Sequence, residues 1–336
     1  MSAGKPVQGS GEDHLIAHYF KPLAKHPGAL GLADDTACFT PPQGFDLVLK
    51  TDPIIAGVHF FPDDAADAVA RKALRVNLSD LAAKGAQPAG FLLAIALPSN
   101  IGADWLEAFA RGLGEDADHF NCPLLGGDTD RTPGPLTISI TVFGLVPSNT
   151  MIKRSGASAG DRIFVSGTLG DAALGLKLRL QPDLGQKFAL DRKQREHLLN
   201  RYQVPEPRNA LADDIRACAS ASMDISDGLA GDFTKLCRAS GVTAEIDAAR
   251  VPLSDAARVM VGRDAALIEA VLTGGDDYEI LCTVPPKNVD AFRAAAAVRG
   301  IPVTEIGQIS AGDQAPRFRG ASGTPLIFEK PSYSHF

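Results

Sequence analysis

Acidic residues recur along this chain beside glycine, threonine or serine, in seven short clusters. They are Ala33-Asp34-Asp35-Thr36, Lys50-Thr51-Asp52, Asn77-Leu78-Ser79-Asp80, Gly126-Gly127-Asp128-Thr129-Asp130, Gly170-Asp171, Met223-Asp224-Ile225-Ser226-Asp227-Gly228 and Gly274-Gly275-Asp276-Asp277. Hard oxygen ligands on flexible backbone suit magnesium that is bound largely through substrate phosphates. No G-x-x-x-x-G-K-[ST] loop is present. A nucleotide held here would have its phosphate charge carried by metal ions rather than by a lysine cradle.

Each cluster alone also has a plain structural meaning. Asn77, Asp80 and Lys84 fall on one helical face, which fits a solvated polar stripe as well as a metal ligand on a rigid helix. Asp52 can end a strand before Pro53. Gly126 and Gly127 permit close approach to an anion, but a hairpin turn uses the same residues. Ser226 or Asp227 can cap a helix, and that accounts for one of them without explaining Asp224. Gly274-Gly275 before Asp276 and Asp277 repeats the pattern at the entry to a strand.

These clusters need elements to hold them. The sequence predicts a short helix over 14–25, a strand over 45–50 that delivers Thr51 and Asp52 at its end, and a long helix over 64–84. Asp63 or Asp64 can cap that helix, and Gly85 stops it. Strands are expected at 91–97, 136–146, 162–166, 278–284 and 302–306, with helices at 102–120, 209–220, 227–240 and 287–299. The polar stretch 147–161 reads as a domain junction. The expectation is two α/β or α+β domains, 1–148 and 149–336.

Bulk properties exclude several classes. Hydrophobic residues make up 45% of the 336, enough for sizeable cores. The net charge of −7 argues against a protein that coats nucleic acid. Five widely spaced cysteines without a C-x-x-C pair read as reduced thiols of a cytoplasmic protein. Neither a signal peptide over the polar segment 1–13 nor a membrane span is expected. The histidines include no H-E-x-x-H, which disfavours a zinc hydrolase.

Taken in order, the seven segments resemble the thiamine-monophosphate kinase family, together with Gly57-Val58-His59-Phe60, Leu81-Ala82-Ala83-Lys84-Gly85, Val165-Ser166-Gly167-Thr168-Leu169 and Tyr278. The likeness runs from about Leu32 to His335-Phe336. It implies ATP- and magnesium-dependent phosphorylation of thiamine monophosphate to thiamine diphosphate. It also implies the two-domain fold of the aminoimidazole ribonucleotide synthetase-like proteins, and a homodimer paired through the N-terminal sheets. The first domain would bind ATP and magnesium and dimerise, and the second would complete the active site.

By the same resemblance, magnesium ligands fall on Asp35, Thr51, Asp52, Asp80, Asp128, Asp224 and Asp227. ATP contacts fall on Gly127, Asp128, Arg154 and Ser226. Contacts to the thiamine phosphate fall on His59, Asp276 and Tyr333. Asp52, Asp80, Asp128 and Asp227 are the residues on which catalysis would chiefly rest. Three positions depart from the family pattern: Lys50 stands where a small hydroxyl residue is usual, Ala110 where some members have an aromatic, and Asp276 where relatives have glutamate. No nucleic-acid or membrane partner is implied. The competing readings are a sibling ATP-using synthetase and a non-catalytic binding protein on the same scaffold. The absence of cysteine from residues 1–31 disfavours a selenophosphate synthetase.

Overall fold

In the first half of the chain, α1 (Gly11–Leu15), β1 (Phe45–Ile55), α2 (Ala66–Ala83), β2 (Gln87–Leu97), α3 (Ala103–His119), β3 (Leu124–Arg131) and β4 (Thr137–Pro147) follow in that order. The computed structural model describes residues 11–320 and 323–333. Most of the polar segment 1–13, and His335-Phe336, lie outside them. The four strands form one sheet in the order β1-β4-β2-β3. Its inner face is set by period-two alternation: Ile138, Ile140 and Val142 of β4 and Leu93, Ile95 and Leu97 of β2 are buried, as a half-buried sheet requires.

Helix α2 buries Val69, Ala70, Ala73 and Leu74, and α3 buries Leu106, Phe109, Ala110 and Leu113, each with helical spacing. Strand β3 runs parallel to β2. Parallel neighbours need a long crossover, and α3 supplies it. The two helices are tied by Asp116 of α3, whose carboxylate accepts from Arg71 Nη1 at 2.7 Å and from Arg75 Nε at 2.5 Å.

Two of the expected boundaries shift. Strand β1 continues through Thr51 and Asp52 to Ile55 instead of ending before them. Pro53 can lie inside it because β1 is an edge strand, where a missing N–H leaves no ladder bond broken. Gly126, Gly127 and Asp128 lie within β3, and so form neither a hairpin turn nor a loop.

The second half carries β5 (Arg162–Ser166), α4 (Asp171–Leu180), α5 (Leu184–Lys187), α6 (Arg192–Gln203), α7 (Ala212–Cys218), β6 (Ala221–Ile225), α8 (Leu229–Ser240), β7 (Val242–Asp247), α9 (Asp255–Arg263), α10 (Leu267–Thr273), β8 (Glu279–Val284), α11 (Val289–Val298), β9 (Val303–Ala311), β10 (Arg317–Arg319) and β11 (Pro325–Leu326). The strands form a mixed sheet in the order β11-β10-β7-β9-β5-β8-β6. Both of its faces are covered. Ile163, Val165 and Leu281 join one core with Leu174, Leu198, Phe233 and Met260. Their neighbours Phe164, Ile280 and Cys282 join the opposite core with Ile215 and Phe292.

By packing, the chain divides into two units that interleave along the sequence. One takes the chain up to Gln43 with Leu49–Asn77 and Pro88–Gly144. The other takes Gly44–Val48, Leu78–Gln87 and the chain from Leu145 onward. The division therefore passes through α2, between Asn77 and Leu78. No helix among the described residues is long and apolar enough to cross a membrane.

Asp116 is a sharp test of this packing, because its buried carboxylate neutralises two arginines. Asp116→Ala leaves both without it. Chemical denaturation is expected to show a loss of about 3–5 kcal/mol, the usual cost of breaking a buried ion pair from one side.

Candidate active site

In the first unit, Asp52 is fixed through its main chain. Its N–H donates to Asn77 Oδ1 at 2.8 Å. The Asn77 amide nitrogen in turn donates to Ala73 O at 3.0 Å on the preceding turn of α2. Asn77 is thus a buried clamp between helix and strand rather than part of a solvated stripe. The Asp52 carboxylate meets the Lys50 ammonium at 3.1 Å, two residues back on the same strand face. Thr51 Oγ1 donates to Ile140 O at 3.2 Å and accepts from Thr141 Oγ1 at 3.0 Å. His59 Nδ1 accepts from Ile55 N–H at 3.0 Å, which leaves the proton of the neutral ring on Nε2.

Asp128 is exposed on β3, the edge strand opposite β1. Its neighbour Gly127 is forced to be glycine, because a Cβ there would lie 1.8 Å from Leu93 O on β2. Asp35 is exposed in the bend over residues 34–36, where Asp34 accepts from Thr36 N–H at 3.3 Å. Ala110 is buried on α3, so the small side chain there fills core.

In the second unit, motifs far apart in sequence converge. The turn after β6 carries Ser226 and Asp227. Ser226 O accepts from Asp276 N–H at 2.9 Å, Ile225 O from Tyr278 N–H at 2.8 Å, and Asp227 O from Tyr333 N–H at 3.1 Å. The C-terminal segment is seated closely here: a Cβ on Gly231 would lie 2.4 Å from that of Ser332. The end of α2 joins the same neighbourhood. Ser79 Oγ donates to Tyr278 O at 3.4 Å, and Lys84 Nζ donates to Ser222 O at 2.7 Å. The segments carrying Asp224, Ser226, Asp227, Asp276 and Tyr333 are therefore joined by main-chain hydrogen bonds, and the α2 segment that carries Asp80 is tied to them through the side chains of Ser79 and Lys84. Arg154 is placed elsewhere in this unit. Its carbonyl accepts from Ser240 at 3.3 Å, at the far end of α8, about 18 Å of helix away from Asp227.

Asp276 and Tyr278 both hold left-handed backbone, with φ of 71° and 51°. Such conformations cost non-glycine residues energy and persist where the surroundings impose them. Here the imposing group is Asp277 between them. It is fully buried, and its carboxylate accepts from Gly170 N–H at 2.7 Å while its carbonyl accepts from Arg201 at 3.0 Å. Burial pushes this carboxyl well up, against the pull of the Gly170 N–H and Arg201. Next along the chain, buried Glu279 accepts from Ser166 Oγ at 2.6 Å, Arg201 at 2.9 Å and Arg208 Nε at 2.7 Å. Sequence reasoning grouped Asp277 with the candidate ligands and passed over Glu279, Arg201 and Arg208. The signal available was the run of apolar residues after Glu279, which marks a buried strand.

No three His, Cys, Asp or Glu side chains among the described residues form a ready-made metal cage. His14 and His18, four apart on the chain with ring centroids 6.0 Å apart, gain no third ligand. The carboxylate chemistry nonetheless fits a hard cation, since ammonium groups already lie against Asp52 and, through Lys235 at 2.6 Å, against Asp227. Magnesium bridged by phosphates needs only one or two protein carboxylates. Burial pushes Cys122 and Cys237 up to about 12, which disfavours thiolate chemistry at those two positions.

Comparisons with known proteins show the family and the fold. Residues 33–146 match the family model for the AIR synthase related protein N-terminal domain, and residues 158–316 match that for the C-terminal domain. A thiamine-monophosphate kinase of Caulobacter vibrioides is 44% identical over 318 residues, covering 93% of this chain and 88% of that protein. The crystal structure of thiamine-monophosphate kinase from Stenotrophomonas maltophilia K279a aligns with a TM-score of 0.82 at 39% identity, over 94% of this chain and 96% of that one. A structure described as AaThiL complexed with AMPPCP and TMP aligns over the whole of both chains, with a TM-score of 0.76 at 31% identity.

A pH-dependent contact lies beside the site. Asp171 accepts from Ser254 at 2.5 Å and Thr168 at 2.6 Å, and pairs with His197 Nε2 at 3.0 Å. Burial pushes Asp171 up, but its hydrogen bonds from His197, Ser254 and Thr168 outweigh this and hold it below the ordinary range. The bond to Asp171 raises His197. The stabilisation is therefore complete between the ordinary carboxyl range near 4 and the ordinary histidine value near 6.5. It fades as pH rises through the raised value of His197, and as pH falls through the lowered value of Asp171. The stability difference between wild type and His197→Gln is expected to stay under about 1 kcal/mol, since the ring is partly exposed. Denaturation curves should find it largest near pH 5–6 and shrinking above pH 7.

Proposed function

Since the chain belongs to the thiamine-monophosphate kinase family, we propose that it phosphorylates thiamine monophosphate to thiamine diphosphate with ATP, in the cytoplasm, by direct in-line transfer assisted by magnesium. The observation that supports this reading is that the segments carrying Asp80, Asp224, Ser226, Asp227, Asp276 and Tyr333, residues the family resemblance implies, are hydrogen-bonded to one another through main chain and through the Ser79 and Lys84 side chains.

The acceptor is a phosphate monoester, mostly dianionic near neutral pH because its second pKa is about 6. It is already a nucleophile, so no general base is needed. One of its oxygens forms a bond to the γ-phosphorus of ATP as the β–γ bridging oxygen departs with its electron pair on ADP. The obstacle is charge. At 4 Å and an effective dielectric of 20, each pair of unit charges repels by about 4 kcal/mol. Magnesium supplies charge neutralisation and alignment when bound. Asp35, Thr51, Asp52, Asp80, Asp128, Asp224 and Asp227 are the residues proposed to hold it.

The chain's own groups position the reactants. Asn77 holds the main chain of Asp52. Gly127 lets backbone come close beside Asp128, where ATP phosphates would lie, and Ser226 is proposed as a further nucleotide contact. His59, with Nε2–H as a donor, is proposed to orient the acceptor phosphate. Asp276 would meet the thiamine moiety, and the exposed Tyr333 ring would lie against its cationic thiazolium.

Phe45, Leu47 and Leu49 share one face of β1 and are 41%, 38% and 61% exposed. We take this face as the place where a second copy pairs sheet to sheet. Leu49→Lys is expected to shift the sedimentation of the protein from dimer to monomer. A wild-type monomer would remove the proposal.

Incubation with ATP, magnesium and thiamine monophosphate should yield thiamine diphosphate, with none from thiamine or aminoimidazole precursors. Failure of folded, ATP-binding protein to form it would favour a sibling activity. Asp80→Asn should lower kcat by about 10²–10³-fold, the scale of losing one electrostatic group that acts in the transition state. Near-normal turnover would take Asp80 out of the mechanism. A chiral γ-phosphate should be transferred with inversion, and retention would indicate a covalent intermediate instead.

A further inference from the structure

The turn that carries Ser226 and Asp227 is built on a second aspartate. Asp232, on the first turn of α8 and almost fully buried, accepts through one carboxylate oxygen from Ser226 N–H at 3.0 Å and Asp227 N–H at 2.9 Å. Its other oxygen accepts from Lys235 Nζ at 2.8 Å. The same ammonium donates to Asp227 Oδ2 at 2.6 Å. Lys235 thus bridges a buried structural carboxylate and the carboxylate of a residue assigned to magnesium. As a lysine it is cationic at neutral pH.

We propose that Lys235 is a resident counter-ion and positioning residue for Asp227. It holds the carboxylate in place before the divalent cation arrives, and it competes with that cation for Asp227 Oδ2. In this way it sets the concentration at which the Asp227 position fills. The proposal rests on the reading of Asp227 as a magnesium ligand.

Two effects of the lysine oppose one another. Ordering a single short side chain in advance favours the incoming ion by a few-fold at most, since only two torsions are fixed. Repulsion between a divalent cation and an ammonium about 5 Å apart disfavours it by about tenfold even in a water-like dielectric. Competition therefore outweighs ordering. The exchange leaves no stranded charge, because the ammonium can release Asp227 and keep Asp232. Asp227, Asp232 and Lys235 together carry one negative charge, and neutralising the lysine side chain makes it two.

The test is Mn²⁺ binding to the full-length protein without nucleotide, followed by the EPR signal of free Mn²⁺, with circular dichroism in chelator to verify folding. Asp227→Asn identifies the site by removing it from the isotherm. Lys235→Met is expected to tighten that site by about tenfold, and Lys235→Arg to leave it near the wild-type value. Lys235→Gln keeps a donor toward Asp232 while removing the charge, and gives the same tightening should the methionine variant fail to fold. Unchanged or weaker binding in the neutral variants, with the Asp227→Asn loss intact, overturns the role of Lys235 and leaves Asp227 as a ligand. Binding that Asp227→Asn does not alter overturns both.

Discussion

A carboxylate proposed to hold a metal ion, as Asp52 and Asp227 are, has to be held in place before that ion arrives. Bare carboxylates repel one another, and a loop carrying several of them would splay open. The fold meets this constraint with N–H groups, amides and ammoniums of its own. Asn77 fixes the backbone of Asp52, and Lys50 faces its carboxylate. Asp232 fixes the backbone of Ser226 and Asp227, and Lys235 faces the Asp227 carboxylate. The same solution appears in both units: one group orders the main chain, and one cation offsets the side chain.

The second unit adds a rigid base below its exposed acids. Asp277 and Glu279 point into the interior and are satisfied there by backbone N–H groups, Ser166, Arg201 and Arg208. Buried acids of this kind are costly unless their polar atoms are matched. In return, they leave Asp276 and Tyr278 little freedom in a backbone conformation that neither would choose. The buried acids thus act on function through geometry. They set the direction of their neighbours, while the exposed acids carry the proposed chemistry.

The limits of sequence reading follow from the same division. Strand β1 was expected to stop before Thr51, because Pro53 normally ends a strand. Its continuation to Ile55 depends on β1 lying at a sheet edge, a fact about neighbours that local pattern does not contain. The glycine pair at 126–127 looked like a turn or a loop. It lies inside a parallel strand, where only glycine fits at 127 because a Cβ there would fall 1.8 Å from Leu93 O. Strand β6 went unrecognised because Asp224 interrupts its apolar run, although all five residues are buried.

What the sequence determined by itself was the chemistry on offer: seven acidic clusters, hard oxygen donors, no lysine cradle, and an order of motifs that identifies the family. Those properties belong to residue types and spacing, so they survive without coordinates. The tertiary structure decided which acids face inward as supports and which are presented outward, and it brought Asp227, Asp276 and Tyr333 together across more than a hundred residues of chain. Aspartate reads the same in sequence whether it caps a turn, neutralises an arginine or awaits a cation. Only the partners that folding supplies separate these roles.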